Sequence, residues 1–194
     1  MGDEASPGLR RAVRLVAILN IAYFGIEFAV AAAIQSVSLF ADSIDFLEDA
    51  SVNFLILAAL DLTARRRARV GMALAAVLLI PGLATLWTAW RKFGAPVPPE
   101  PLSLSLAGGG AFGVNLACAI MLTRYRYHGG SLTRAAFLSA RNDVLANIAI
   151  VGAGIVTAYT RSAWPDLMVG LGIALMNAGA AKEVYKTALA ERTN

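Results

Sequence analysis

Four carboxylate side chains lie within eight residues of one apolar segment: Asp42, Asp45, Glu48 and Asp49. A helix turns by about 100° per residue, so on a helix these side chains share one arc of about 120°, with Asp45 and Asp49 one turn apart. Two carboxylates one turn apart can bind the same ion. On a membrane-spanning helix each charge costs at least about 2.5 kcal/mol, so an acidic face there indicates a functional site.

A second polar face lies in a later apolar segment. Ser139, Asn142, Asp143 and Asn147 fall within about 140° of one another on a helix, whereas Arg141 points at least about 100° away from each of them. Carboxylate, amide and hydroxyl oxygens are groups that coordinate cations. The two segments therefore carry compatible chemistry, provided that the fold brings their polar faces together.

The composition of the chain indicates that both segments lie in a membrane. Of 194 residues, 58% are hydrophobic and only 15% are charged, and the mean hydropathy is +0.63. Soluble domains are about 45–50% apolar and about 25% charged. These values exclude a soluble or disordered chain, the single Cys118 excludes a disulfide scaffold, and the single His128 excludes a zinc finger.

Six segments are long and apolar enough to cross roughly 30 Å of hydrocarbon, which takes about 20 helical residues. They lie at about 15–35, 38–62, 70–90, 104–123, 135–159 and 165–185. The sequence therefore predicts an all-α integral membrane protein in which residues 1–194 form one domain, a bundle of six transmembrane helices. Because the connections are short, we expect neighbouring helices to run antiparallel.

The distribution of basic residues predicts the orientation of this bundle. Lys and Arg are in excess on the cytoplasmic side of membrane proteins. One side would carry thirteen of them: Arg10, Arg11, Arg14, Arg65, Arg66, Arg67, Arg69, Arg124, Arg126, Arg134, Lys182, Lys186 and Arg192. The other side would carry three: Arg91, Lys92 and Arg161. Both termini are therefore expected in the cytoplasm, and the net charge of +4 indicates topology rather than a nucleic-acid partner.

The depths of the acidic residues test whether the two polar faces can meet. If the second span begins at Ser38 on the outer side, Asp45 and Asp49 lie about 10 and 16 Å below that edge at 1.5 Å per residue. If the fifth span begins at Ala135 on the inner side, Asp143 lies about 18 Å from the outer edge of a core of roughly 30 Å. Three carboxylates near one midplane predict a site for a divalent cation, since such ions prefer oxygen ligands.

The stretch Leu39–Asp49 resembles the second helix of the cation diffusion facilitator family, whose members are divalent metal/proton antiporters. In that family a leucine-alanine-aspartate stretch is followed by His or Asp and, four residues later, by a second Asp. The resemblance assigns these two metal-ligand positions to Asp45 and Asp49. The family repeats a (His/Asp)-x-x-x-Asp pair on its fifth helix, which corresponds to Ser139 and Asp143 here.

Further residues are similar to the same family. Trp164-Pro165-Asp166 resembles the start of its sixth helix, and Asn20 and Glu27 match polar positions of its first helix. The stretch Ser139–Asp143 is similar to that of short, divergent members, with one inserted alanine. This resemblance implies a membrane domain that lacks the family's cytoplasmic ferredoxin-like domain.

Three aspects of the predicted site stay open at this point. The fourth metal ligand is Ser139 or, in its place, Asn142. Asp42, Glu48 and Glu27 are candidates for a proton relay or a hydrated vestibule. The oxygen-rich ligand set favours Mn²⁺, Fe²⁺ or Mg²⁺, whereas the resemblance favours Zn²⁺, Co²⁺ or Cd²⁺. These ions are expected as transported substrate, and we expect no resident cofactor and no catalytic residue.

The sequence thus predicts a multi-pass transporter of the bacterial plasma (inner) membrane that exports a divalent metal ion in exchange for protons. The expected partners are the lipid bilayer, the metal ion, protons and a second copy of the chain, paired through glycine-rich helices. The alternatives are a cation channel and a non-transporting membrane scaffold. A phospholipid head-group transferase is disfavoured because Asp49-Ala50-Ser51 does not fit the Asp-Gly-x-x-Ala-Arg pattern that such enzymes require.

Overall fold

The computed structural model of the chain describes residues 7–61, 83–125 and 130–176. These residues form six helical segments, numbered here in chain order. They are α1 (Pro7–Ile34), α2 (Val37–Asp61), α3 (83–94), α4 (Pro101–Thr123), α5 (Gly130–Thr160) and α6 (Trp164–Met176). The described ranges contain no β-strand, and the predicted all-α fold is confirmed.

A turn of two residues joins α1 to α2. Gln35 adopts a φ of 55°, the left-handed conformation with which many helices end. Its side-chain amide donates a hydrogen bond to the carbonyl of Ala32 at 2.7 Å, which satisfies one of the acceptors left open at the helix end. Because the turn is so short, α1 and α2 run antiparallel and pack against each other.

The start of α4 is fixed by a capping carboxylate. Glu100 accepts hydrogen bonds from the backbone N–H groups of Leu102 at 3.0 Å and Ser103 at 2.5 Å, and Pro101 occupies the first turn. Proline suits that position because its missing N–H would have no partner within the helix. Hydrogen bonds from Ser103, together with the backbone N–H of Leu102, hold the pKa of Glu100 below its usual value.

Four helices form the central bundle. α1 packs against α2 and α4, α4 packs against α5, and α5 returns to α2. The crossing of α4 and α5 is close because glycines line it. A Cβ at Gly108 would lie 2.8 Å from Cγ2 of Ile150, and one at Gly154 would collide with Oγ of Ser105. Small residues let transmembrane helices approach closely, so this pair forms a compact wall of the bundle.

The surface of the bundle is apolar and part of its interior is polar, the reverse of a soluble protein. Large apolar side chains are exposed along several helices, among them Ile18, Ile26, Leu106, Ile120, Ile148 and Ile155. Fully or almost fully buried polar side chains include Asn20, Glu27, Asp42, Asn115 and Asn147. A bundle with this distribution is suited to a lipid environment around a polar centre.

Among the residues that the structure describes, three helices are long and apolar enough to cross a membrane by length and composition: Pro7–Ile34, Pro101–Thr123 and Ser139–Thr160. Trp164–Met176 is a shorter apolar helix. α2 has 25 residues, enough to span, but carries four acids between Asp42 and Asp49. α1 begins at Pro7, before the span that hydropathy placed at about 15. Residues 70–82 of the predicted third span, the Arg65–Arg69 run and the end of the sixth span lie outside the described residues.

Candidate cation site

The acidic face of α2 is divided between the interior and the edge of the bundle. Asp42 is 0% exposed and Asp49 is 4% exposed, whereas Asp45 is half-buried and Glu48 is exposed. This order follows from the helix geometry, because Glu48 lies at one end of the shared arc. Asp42, Asp45 and Asp49 therefore face inward together, and Glu48 lies at the margin.

Ser139 and Asp143 of α5 face this part of α2. The side chain of Ser139 lies next to the carboxylate of Asp49. The carboxylate of Asp143 lies close enough to those of Asp45 and Asp49 for their charges to interact. One of its oxygens, Oδ2, is buried and has no hydrogen-bond partner among the described residues. The three aspartates predicted as metal ligands are thus electrostatic neighbours across the contact of α2 with α5.

These carboxylates are neighbours without surrounding a common point. Within residues 7–61, 83–125 and 130–176, no three Asp, Glu, His or Cys side chains are arranged closely enough to hold a metal ion. Like charges repel strongly in a medium of low dielectric constant. A divalent cation placed between them would offset that repulsion.

The two candidates for the fourth ligand lie in different surroundings. Ser139 contacts Asp49, as described above. Asn142 is exposed and lines a groove of about 510 Å³ between α5 and α6, beside Leu145 and Val169. The structure therefore places Ser139, and not Asn142, next to the carboxylates of α2. Arg141 is exposed as well.

A chain of buried polar side chains crosses the bundle beside these residues. Asn115 of α4 donates to Oδ1 of Asn147 at 3.0 Å, and Asn147 of α5 donates to Oδ2 of Asp42 at 2.5 Å. The sequence places Asn147 on the polar face of the fifth span and does not link it to Asn115 of the fourth. Their link depends on the close crossing of α4 and α5. It fixes the carboxylate of Asp42 from one side.

Glu27 of α1 lies beside Asp42 on the opposite side. Its side chain is completely buried, and its carboxyl group lies close enough to that of Asp42 for the two to interact. Among the described residues neither oxygen of Glu27 has a hydrogen-bond partner, and the hydroxyl of Tyr23 donates elsewhere, to Ala107 O at 2.6 Å. Two ionised carboxyl groups so placed repel each other in a medium of low dielectric constant, and a proton on either one would relieve that repulsion.

Asn20 lies two turns before Glu27 on the same side of α1. It is 0% exposed, and neither polar atom of its amide has a hydrogen-bond partner in the part of the chain that the structure describes. Buried amides usually have partners, because burying one without a partner is costly. The polar interior thus extends from Asp42 along α1.

Apolar helices around a buried acidic centre define the class to which the chain belongs, that of multi-pass membrane proteins. A family model described as the cation efflux transmembrane domain matches residues 13–191. The chain therefore belongs to the cation efflux family, and the predicted family is confirmed. No curated protein matches the sequence. Membership places the chain among cation transporters rather than enzymes, at the level of the family.

Proposed function

We propose that the protein transports a divalent metal ion out of the cytoplasm in exchange for protons, and that the metal binds between α2 and α5. One observation carries this proposal: Asp49 of α2 lies close to Ser139 and Asp143 of α5, across the contact between the two helices. α2 turns Asp42, Asp45 and Asp49 inward, and Asp143 of α5 lies across from them. The ligand set that we propose is Asp45, Asp49 and Asp143 with Ser139, and Asn142 stays the weaker candidate for the fourth position.

Metal binding in this proposal changes the distance between two helices. The three carboxylates repel one another when they are ionised and no cation is bound. A divalent ion bound to all three draws α5 towards α2. Protons also reduce the negative charge, but without the same geometry, since they neutralise each carboxyl group separately. Exchange of a metal ion for protons thus offers two states of reduced charge that differ in helix packing, as alternating access requires.

Glu27 and Asp42 support the proton side of the exchange. The two buried carboxyl groups lie next to each other and to the proposed ligands, and Asn147 keeps Asp42 in place. We propose that this pair receives and returns protons, while Glu48 at the exposed margin of α2 belongs to the hydrated entrance. Zn²⁺, Co²⁺, Mn²⁺ and Fe²⁺ are the candidate substrates, since the oxygen ligands suit the harder ions and the family resemblance suits zinc and cobalt.

The test is metal uptake into proteoliposomes that contain the purified protein, measured for Zn²⁺, Co²⁺, Mn²⁺ and Fe²⁺ with and without a pH gradient. A carrier of the proposed kind shows uptake that saturates with metal and increases with the opposing proton gradient. Uptake that does not saturate and ignores the pH gradient would indicate a channel. No uptake of any of the four ions in oriented, folded protein would contradict transport and leave the scaffold alternative.

A matched pair of variants ties this flux to the site. Asp49→Asn removes the proposed ligand and keeps the size of the side chain. Glu100→Gln alters an acid that caps α4 and does not belong to the site. We expect uptake to fall to background in the first variant and to stay at the wild-type level in the second.

A further inference from the structure

The carboxylate of Asp166, in the first turn of α6, has an unusually complete set of partners. It accepts five hydrogen bonds: from Oγ of Ser36 at 2.6 Å, N of Val37 at 2.9 Å, N of Ser38 at 3.1 Å, Oγ of Ser38 at 2.7 Å and Nζ of Lys92 at 2.7 Å. Ser36 and Ser38 flank the start of α2, and Lys92 comes from α3. One side chain therefore joins three helices.

We call this group of residues the outer junction, since the loops beside it lie on the side predicted to be non-cytoplasmic. Asp166 and the two serines are 0% exposed, and Lys92 is 4% exposed. The sequence had assigned Lys92 to the outer loops on its charge alone. Its ammonium group instead lies buried, in an ion pair with Asp166. Separating a buried ion pair of this kind is costly, because each charge would then be buried with neither its partner nor water around it.

The backbone packing at the outer junction is equally tight. Gly170 lies one turn after Asp166 on α6, and a Cβ there would lie 2.6 Å from C of Val37 and from N of Ser38. Val37, Leu167 and Ala89 of α3 form an apolar cluster next to the ion pair. Asp166 and Gly170 thus form one face of α6, on which the N-terminus of α2 lies in direct contact.

The burial of α2 changes along its length. Every residue from Ser36 to Ser43 is buried, whereas Asp45 is half-buried and Glu48 is exposed. α2 is one uninterrupted helix, so a displacement at Ser38 carries over to Asp45 and Asp49, about 10 and 16 Å further along it. The height and rotation of both carboxylates therefore depend on how α2 is held at the outer junction.

We propose that Asp166 is a positioning residue, which holds the N-terminus of α2 against α3 and α6 at a junction that stays closed during transport and so sets the placement of Asp45 and Asp49. The inference rests on the proposed function insofar as it concerns metal ions. Its structural part, the control of α2 by Asp166, stands on the hydrogen bonds alone. Because the outer junction stays closed, α2 changes its packing during transport at its opposite end, which is the end nearer Glu48.

The first test separates positioning from simple stabilisation. Asp166→Asn with Lys92→Met removes both buried charges together, so the double variant is expected to fold. We expect its affinity for Zn²⁺ and Mn²⁺, titrated on the folded protein, to fall by about tenfold or more, as for other residues that orient metal ligands. Glu100→Gln, the capping acid of α4, is the control and should keep the wild-type affinity. Wild-type affinity in the folded double variant would overturn a positioning role.

The second test asks whether the junction opens. Val37→Cys and Leu167→Cys, introduced together with Cys118→Ser, place two thiols in the apolar cluster that joins α2 to α6. Oxidation should form a disulfide between the helices and leave metal uptake at the level of the reduced protein. If oxidation stops uptake and a reductant restores it, the junction opens in each cycle and the proposal is wrong.

A third measurement does not depend on metal. Spin labels at Phe54 of α2 and Leu116 of α4, both exposed positions, report the distance between these helices. We expect a narrow distance distribution with Asp166 present, and a shifted or broader one in the double variant at positions 92 and 166. An unchanged distribution would overturn the control of α2 by Asp166. If the distribution changes but the wild-type protein binds none of the tested ions, the transport function fails and the positioning of α2 stands.

Discussion

Two regions beside α2, the outer junction and the middle of the helix, place carboxylates in opposite surroundings. At the outer junction, Asp166 accepts five hydrogen bonds and pairs with Lys92. Near the middle of α2, Glu27 and Asp143 keep buried oxygens that have no donor within the described residues. A carboxylate with all its partners stabilises a structure, whereas one without partners is costly and is kept for what it binds. The difference separates the region that holds α2 from the region that we propose binds ions.

The largest expected effect comes from a substitution near the middle of α2, where buried carboxyl oxygens lack hydrogen-bond donors among the described residues. Asp49→Ala should abolish metal transport and leave the protein folded in the membrane, because it removes a proposed ligand that shares a face with Asp45 and lies across from Asp143. Uptake into proteoliposomes measures the first outcome, and the elution of the purified variant as a folded species measures the second. Metal-dependent flux at the wild-type rate would falsify the site.

Asp166→Ala should have the opposite profile, with its main effect on stability. It leaves the ammonium group of Lys92 buried without its partner, and breaking a buried pair in this way costs about 3–5 kcal/mol. Unfolding of the purified protein in detergent measures the loss. Adding Lys92→Met should recover much of it, since no lone charge then remains. A single variant as stable as the wild type would mean that the comparison between the two regions is wrong.

Much of this arrangement is visible in the sequence, since helical spacing alone places Asp42, Asp45 and Asp49 on one face and Asp143 at a similar depth. The sequence does not decide whether Ser139 or Asn142 faces the carboxylates of α2, because the rotation of α5 against α2 depends on packing from α4. Lys92 could not be assigned from charge counts, since its partner lies 74 positions away in the chain. The early start of α1 at Pro7 was missed because hydropathy detects the membrane span and not a polar extension of the same helix around Arg10 and Arg11.

Ser139→His should sharpen the identity of the site. The side chain at this position contacts Asp49, so an imidazole there would join the proposed ligands, and imidazole suits Zn²⁺ better than Mn²⁺. We expect the ratio of Zn²⁺ to Mn²⁺ affinity to rise by about tenfold, the scale on which changes around a metal site act. Titration of both ions on the variant and the wild type measures it. An unchanged ratio would point to Asn142 as the fourth ligand.

Glu27→Gln should have the smallest effect on stability. The new amide can donate to Asp42, so the free energy of unfolding should change by no more than about 1 kcal/mol, the typical contribution of one hydrogen bond. The same variant should lose part of the stimulation of metal uptake by a pH gradient. Asn147→Ala is a useful contrast, because it removes the donor from Asp42 and leaves Glu27 intact. Full stimulation in Glu27→Gln would exclude this pair from proton exchange.

The most direct test of metal/proton exchange is the number of protons released when the metal binds. Carboxyl ligands must lose their protons before they coordinate a metal ion, so binding and proton release are linked. Calorimetric titration of the wild-type protein with Zn²⁺ and Mn²⁺, in two buffers of different ionisation enthalpy, measures the release. We expect protons to be released and the apparent affinity to weaken as the pH falls from about 8 to about 6. Metal binding without proton release, and with the same affinity across that range, would contradict the exchange.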